Sequence, residues 1–94
     1  MTDDDEMRRR RAIYRANHRG TKEMDVLLGR YTEARIASFA GDELGLYERL
    51  LALPDPSLQA WILDPALMGG NEFRDLVMEL RRFHGLGLEA ADKG

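Results

Sequence analysis

The chain is organised around one charged turn, His18-Arg19-Gly20-Thr21-Lys22-Glu23-Met24-Asp25, which joins two segments that both have the pattern of helices. Gly20 is predicted to close the first helix, because glycine accepts the left-handed conformation that ends many helices. Thr21 is predicted to cap the second helix with its side-chain oxygen. Arg19 then lies near one helix end and Glu23 in the first turn of the next, where each charge complements a helix dipole.

Working outward from this turn, the sequence predicts five helices with short connections. A break at Gly41, the ring of Pro54 and the Asp55-Pro56 cap signal separate the middle helices. The predicted helices are, in order, 2–18, 21–39, 43–53, one from Asp55 that ends at Asp64-Pro65, and one that Asn71 caps and that Gly85 ends. Residues 88–94 lack periodicity and are predicted to form a mobile tail.

Apolar residues recur at the i, i+3, i+4, i+7 spacing of buried helix faces. In the second helix they are Met24, Leu27, Leu28, Tyr31 and Ala34. Trp61 is predicted to fill the core of the fourth helix. No segment alternates as a strand would between hairpin turns. The predicted fold class is therefore all-α, a compact five-helix bundle, with 1–94 as a single domain whose folded part is about 2–87.

Composition limits the classes of function. The chain has 94 residues, a net charge of −3 and no Cys, so disulfides and thiolate metal sites are excluded. It lacks the run of about 20 apolar residues that a membrane helix needs. The acidic start, Met1-Thr2-Asp3-Asp4-Asp5-Glu6, is unlike a secretion signal or a mitochondrial presequence. We expect a protein of the bacterial cytoplasm that does not contact a membrane.

Catalytic and metal-binding sets are hard to assemble from these residues. The two histidines, His18 and His84, are far apart, and no hydrolase, zinc-protease or phosphate-loop motif occurs. Glu23 and Asp25 could act as an acid/base pair, but residues at i, i+2 on a helix do not face each other. We expect no enzyme and no metal site, and keep the acid/base pair as an alternative.

A second alternative is a small regulatory protein that binds nucleic acid through its basic first helix. Arg8-Arg9-Arg10-Arg11 spans a full helical turn, so these side chains cannot share one face. Acids precede them, and the net charge is negative. A protein-binding module fits better, since arginine makes forked hydrogen bonds and Gly20 lets a partner approach the backbone.

The turn also resembles a known family. Arg19-Gly20-Thr21-Lys22-Glu23 matches the RGxxE motif of the succinate dehydrogenase assembly factors of the SdhE type, also called FAD assembly or flavinylation factors. The resemblance covers about residues 8–83. It includes these further stretches: Ile13-Tyr14-Arg15, Met24-Asp25-Val26-Leu27-Leu28, Tyr47-Glu48-Arg49-Leu50-Leu51, Asp55-Pro56 and Trp61.

This resemblance implies a five-helix bundle that acts as a chaperone. Members bind the flavoprotein subunit of succinate dehydrogenase and, in some bacteria, of fumarate reductase. They promote a covalent bond between a histidine of that subunit and the 8α carbon of FAD, which forms autocatalytically within the flavoprotein. The resemblance therefore implies no stably bound cofactor, since FAD belongs to the client. We also expect a monomer when the protein is free, and no nucleic-acid partner.

The resemblance also implies which residues bind the partner. Arg19, Gly20 and Glu23 would form the core of the binding site, with Asp25 beside them. Tyr14 and Arg11 on the preceding helix are further candidates for the same surface.

Overall fold

A computed structural model describes residues 2–86 of the chain. The helices are α1 (Thr2–Asn17), α2 (Lys22–Arg35), α3 (Asp42–Leu51), α4 (Asp55–Leu63) and α5 (Arg74–Phe83), with 3₁₀ turns at Ile36–Ser38 and Pro65–Met68. This part of the chain contains no strand, and the predicted all-α class with five helices is confirmed. The tail predicted at 88–94 lies outside the described residues.

Contacts divide the described residues into two compact units, with the boundary between Asp55 and Pro56. The first unit contains α1, α2 and α3, and α1 packs against both of the others. The second contains most of α4 and all of α5. The single domain inferred from chain length stays a prediction. None of the described helices is both long and apolar enough to cross a bilayer.

The core of the first unit is built mainly from apolar residues. Its buried side chains are Ala12, Ala16, Met24, Leu28, Tyr31, Ile36, Phe39, Leu44, Tyr47, Leu50 and Leu51. One expectation was wrong in detail, because Ala34 is exposed while Thr32 is fully buried. The Thr32 hydroxyl is hydrogen-bonded to the Tyr47 hydroxyl, which satisfies both polar groups in the core. Burial raises the pKa of Tyr47 to about 12, so its hydroxyl stays protonated at neutral pH.

A glycine sets the close packing of α1 on α2. A Cβ atom at Gly29 would collide with Oδ1 of Asn17, the last residue of α1. The Asn17 amide nitrogen is held in turn by the carbonyl of Ile13 at 2.9 Å, so it has little freedom to move away. Position 29 therefore has no room for a side chain while α1 and α2 keep this packing.

In the second unit, Trp61 and Asn71 have roles other than those predicted. Its buried side chains are Leu58, Ile62, Met68, Phe73, Leu76, Val77 and Leu80. Trp61 is only half-buried and stacks on Phe73 with ring centroids 6.3 Å apart, so it is not the core filler that was expected. Asn71 accepts a hydrogen bond from the Phe73 amide at 2.9 Å and so closes the turn before α5, which begins at Arg74, rather than capping the helix.

Candidate functional site at the α1–α2 turn

The Arg19 side chain points into the protein. Its guanidinium donates to Asp55 Oδ1 (from Nε, 2.8 Å), to the Leu51 carbonyl (from Nη1, 2.7 Å) and to the Leu53 carbonyl (from Nη2, 3.1 Å). Only 8% of the side chain is exposed. Leu51 is the last residue of α3, so the cation complements the dipole of α3 and not, as expected, that of α1.

Two carboxylates hold the backbone of the turn. The Arg19 amide donates to Oδ1 of Asp25, and the Gly20 amide donates to Oδ2 of Asp55 at 2.6 Å. Thr21 is the N-cap of α2 and accepts from the Met24 amide at 3.2 Å, as predicted. The backbone between α1 and α2 is therefore fixed by side chains from the starts of α2 and α4.

Gly20 is required for a reason other than the predicted one. Its φ is not positive, so it does not close α1 in the left-handed conformation. A Cβ atom there would instead lie 2.9 Å from Oδ2 of Asp55, closer than real Cβ atoms approach other atoms. Glycine is needed because the Asp55 carboxylate occupies the place of a side chain.

The electrostatics of Asp55 favour the ionised carboxylate. Burial opposes ionisation, but the hydrogen bond from the Gly20 amide and the hydrogen bond and charge of Arg19 outweigh it and lower the pKa of Asp55. Asp55 is thus a paired anion at neutral pH. In the described part its carboxylate contacts Arg19 and Gly20, rather than capping α4 as expected.

Besides Gly20, which has no side chain, three of the predicted site residues are exposed. Glu23 lies in the first turn of α2 and makes no side-chain hydrogen bond or ion pair with any described residue. Tyr14 is 62% exposed and stacks on His18 with ring centroids 3.9 Å apart. Arg11 is exposed one turn earlier on α1, and it lines an open surface concavity with Tyr14, Met7 and Arg10.

The predicted site residues therefore fall into two groups, one that takes part in internal hydrogen bonds and one with exposed side chains. Arg19, Gly20 and Asp25 meet at the turn through internal hydrogen bonds. The His18 ring nitrogen Nδ1 donates to the Tyr14 carbonyl at 2.7 Å, which connects the exposed face of α1 to the residue before Arg19. No described contact joins Arg11 or Glu23 to this internal group.

Asp55 was missed as a site residue. The sequence indicated Asp55 as a helix cap and as part of the family resemblance, and its partners lie 35 and 36 positions earlier in the chain. No local pattern specifies contacts at that separation. The one local signal in the sequence was that Asp55 is an acid at the start of a predicted helix. Its position beside Arg19 is seen only in the structure.

The basic run on α1 is divided between internal contacts and the exposed surface. Arg8 donates to both carboxylate oxygens of Glu48 at 3.0 and 2.7 Å, and Arg9 donates twice to the Phe39 carbonyl at 3.2 and 2.9 Å. Arg10 is exposed and lies 3.6 Å from a carboxylate oxygen of Glu6. Because Arg8 and Arg9 are committed to internal contacts, these arginines do not form a continuous phosphate-binding track, and the nucleic-acid alternative gains no support.

The acid/base alternative is also weakened, because Asp25 accepts from the Arg19 backbone and is not free to work with Glu23. Within residues 2–86, no group of three or more acidic or histidine side chains is placed to hold a metal ion.

The fold and the turn together define a small all-α protein with a charged, internally braced connection between its first two helices. The chain belongs to the family described as flavinator of succinate dehydrogenase, whose model matches residues 10–84. The recognition made from the sequence is confirmed at the level of the family. The relatives of this family are named as assembly factors, which agrees with the prediction that the chain is not an enzyme.

Named relatives support the same family. The chain is 47% identical over 55 residues to the FAD assembly factor SdhE of Acetobacter pasteurianus, across 58% of this chain and 50% of that protein. It is 31% identical over 64 residues to the SdhE of Coxiella burnetii, across 68% and 78% of the two chains. It is 34% identical over 76 residues to the mitochondrial succinate dehydrogenase assembly factor 2 of Dictyostelium discoideum, across 81% and 53%.

The match thus spans about half the length of the first and third of these relatives. No solved structure matches the chain.

Proposed function

We propose that this chain is an assembly factor that binds the flavoprotein subunit of succinate dehydrogenase and promotes covalent attachment of FAD to it. The observation that carries the proposal is the family match over residues 10–84, which contains the whole braced turn. The relatives named above as FAD assembly factors and succinate dehydrogenase assembly factors support it. The flavinylation chemistry belongs to the client, and this chain acts by binding.

The proposed partner-binding surface combines exposed side chains with a fixed backbone. Glu23, whose carboxylate has no partner among residues 2–86, offers it to hydrogen-bond donors of the flavoprotein. Tyr14 offers a large amphipathic ring, and Arg11 a cation, from the neighbouring helix. Arg19, Gly20 and Asp25 contribute by fixing the turn that leads into α2.

The proposal includes the finer features implied by the resemblance. The clients extend to the flavoprotein of fumarate reductase where the organism has one. The chain works as a free monomer in the bacterial cytoplasm and holds no cofactor of its own. The bacterial relative at 47% identity supports this cellular setting.

The test is covalent flavin on the flavoprotein subunit, read as in-gel fluorescence after denaturation. A strain lacking the gene is complemented with the wild-type chain, with Glu23→Ala, or with Glu43→Ala. Glu43 is the matched control, because it is also an exposed acid in the first turn of a helix, α3.

We expect wild type and Glu43→Ala to restore covalent flavin, and Glu23→Ala to fail. Full flavinylation in the strain without the gene would overturn the proposed function. Restoration by Glu23→Ala would keep the function and remove Glu23 from the site. The same gel, run on the fumarate reductase flavoprotein, decides whether that subunit is also a client.

A further inference from the structure

The starting observation is that Arg19 has little left to offer a partner. Its guanidinium already donates to three acceptors, which are the Asp55 carboxylate and the carbonyls of Leu51 and Leu53. Only 8% of its side chain is exposed. A direct contact with another protein would require breaking these hydrogen bonds, and the buried acceptors would then be left unsatisfied.

A continuous series of hydrogen bonds connects Asp55 to the first turn of α2. Asp55 holds the Arg19 side chain and the Gly20 amide, the Arg19 amide is held by Asp25, and Thr21 caps the helix at Met24. Glu23 lies between Thr21 and Asp25, so its backbone is fixed from both sides, while its own side chain is exposed and unpaired in the described part.

We infer that Asp55 and Arg19 are positioning residues: they lock the α1–α2 turn so that Glu23 is presented to the flavoprotein, and the Arg19 guanidinium does not itself contact that partner. This inference rests on the proposed function. It adds Asp55 to the residues that matter and assigns Arg19 a role different from partner binding. The chemistry recognised by the presented carboxylate is a hydrogen-bond donor or cation on the client.

The first experiment uses the full chain alone, so it does not depend on the proposed function. Amide hydrogen exchange and ¹⁵N–¹H spectra are compared for the wild type, Asp55→Asn and Arg19→Gln. We expect faster exchange and a shifted resonance at Gly20, and a smaller change at Arg19, with the helix amides of α5 unchanged. Unchanged Gly20 exchange in both variants would overturn the inference, because the turn would not depend on Asp55.

The second experiment measures affinity for the purified flavoprotein subunit before FAD attachment, at a temperature where every variant is folded. Asp55→Asn, Glu23→Gln and the double variant form a cycle. We expect each single change to weaken binding about tenfold, the size of one charge-assisted hydrogen bond. In the Glu23→Gln background, Asp55→Asn should have almost no further effect, because the residue it positions is gone.

A general structural role would give a different result. If Asp55 only supported folding, its substitution would weaken binding equally whether residue 23 is Glu or Gln, and the inference would be overturned. If Arg19 contacted the client directly, Asp55→Asn would free the guanidinium and preserve binding while Arg19→Gln abolished it. That outcome would also overturn the inference.

Arg8→Gln is the matched control. It removes a different arginine–carboxylate pair of the first unit, which joins Arg8 to Glu48 away from the turn. We expect wild-type affinity from this variant. If the wild-type chain failed to bind the flavoprotein at all, the proposed function would fail, and with it the role assigned to the pair. The exchange data would still decide whether Asp55 holds the turn.

Discussion

Among the described residues of the first unit, the pairs Arg8–Glu48 and Arg19–Asp55 differ in burial and in the hydrogen bonds around them. Arg8 and Glu48 join α1 to α3 in a forked geometry, and their side chains are 32% and 28% exposed. Arg19 and Asp55 join the α1–α2 turn to the start of α4, and their side chains are 8% and 22% exposed.

The two pairs also differ in the further hydrogen bonds that their side chains make. Arg19 also donates to two carbonyls, and Asp55 also accepts from the Gly20 amide, so few polar atoms at this junction lack a protein partner. An exposed pair gains little, because water and salt screen it. Breaking a buried pair leaves a charge without compensation. Arginine–carboxylate pairs therefore join two helices at one place and fix a turn at the other.

The largest expected effect is that of Arg19→Ala. It leaves Asp55 with only the Gly20 amide and removes the donors from the carbonyls of Leu51 and Leu53. We expect a loss of about 3–5 kcal/mol of unfolding free energy, a decrease in Tm on the order of 15 °C. Urea and thermal unfolding of the full chain measure it. A loss below about 1 kcal/mol would place this pair in the class of surface pairs.

Gly20→Ala should have the next largest effect. The new Cβ would lie 2.9 Å from Oδ2 of Asp55, and that carboxylate is anchored by Arg19, so we expect a loss of about 1–3 kcal/mol. Gly45→Ala is the control, because Gly45 lies beside the Arg8–Glu48 pair. Its Cβ would meet the guanidinium nitrogens of Arg8 and Arg49 at 3.7 Å, an ordinary contact, in the middle of α3.

Gly45→Ala should therefore raise stability by about 0.5–1 kcal/mol, because alanine is the better helix former. Chemical unfolding of both variants gives the comparison directly. Equal effects at positions 20 and 45 would contradict the proposed crowding at the turn.

The pH dependence of stability provides a third, smaller effect. The pKa of Asp55 is lowered in the folded chain, where the Gly20 amide and Arg19 outweigh the opposing effect of burial. Its stabilisation is therefore complete above the ordinary aspartate pKa of about 3.9. It is lost as the pH falls from there through the folded pKa.

We expect the stability difference between wild type and Asp55→Asn to be constant from about pH 5 to 7 and to shrink below about pH 4. Urea unfolding across this range measures it. Glu48→Gln is the comparison, since the Arg8 hydrogen bond also lowers the pKa of Glu48 against the opposing effect of burial. A difference for Asp55→Asn that grows in acid would contradict the assigned direction.

Local rules predicted part of this molecule well. Helix number and the Thr21 cap follow from residue preferences within one or two turns of the chain. The distribution of Arg8 to Arg11 over several faces follows from helical geometry, and the structure agrees.

The rest depended on contacts between residues far apart in sequence. The reason for Gly20 is the Asp55 carboxylate, and burial of Thr32 depends on the Tyr47 hydroxyl. Arg19 was predicted to be a binding residue from the family resemblance and from the forked hydrogen bonds that arginine can make. Its internal role is visible only once the end of α3 is placed beside it. The site residues themselves stay predictions until the flavinylation and binding experiments are made.

The smallest effect should come from Arg8→Ala. The fork to Glu48 is lost, but both side chains are about a third exposed, so water can solvate the carboxylate that remains. We expect a slight decrease in Tm that disappears in high salt, where screening has already weakened the pair in the wild type. Arg19→Ala should keep most of its loss in the same salt, because its partners are shielded from solvent. A salt-insensitive loss at Arg8 as large as that at Arg19 would show that burial does not separate the two pairs.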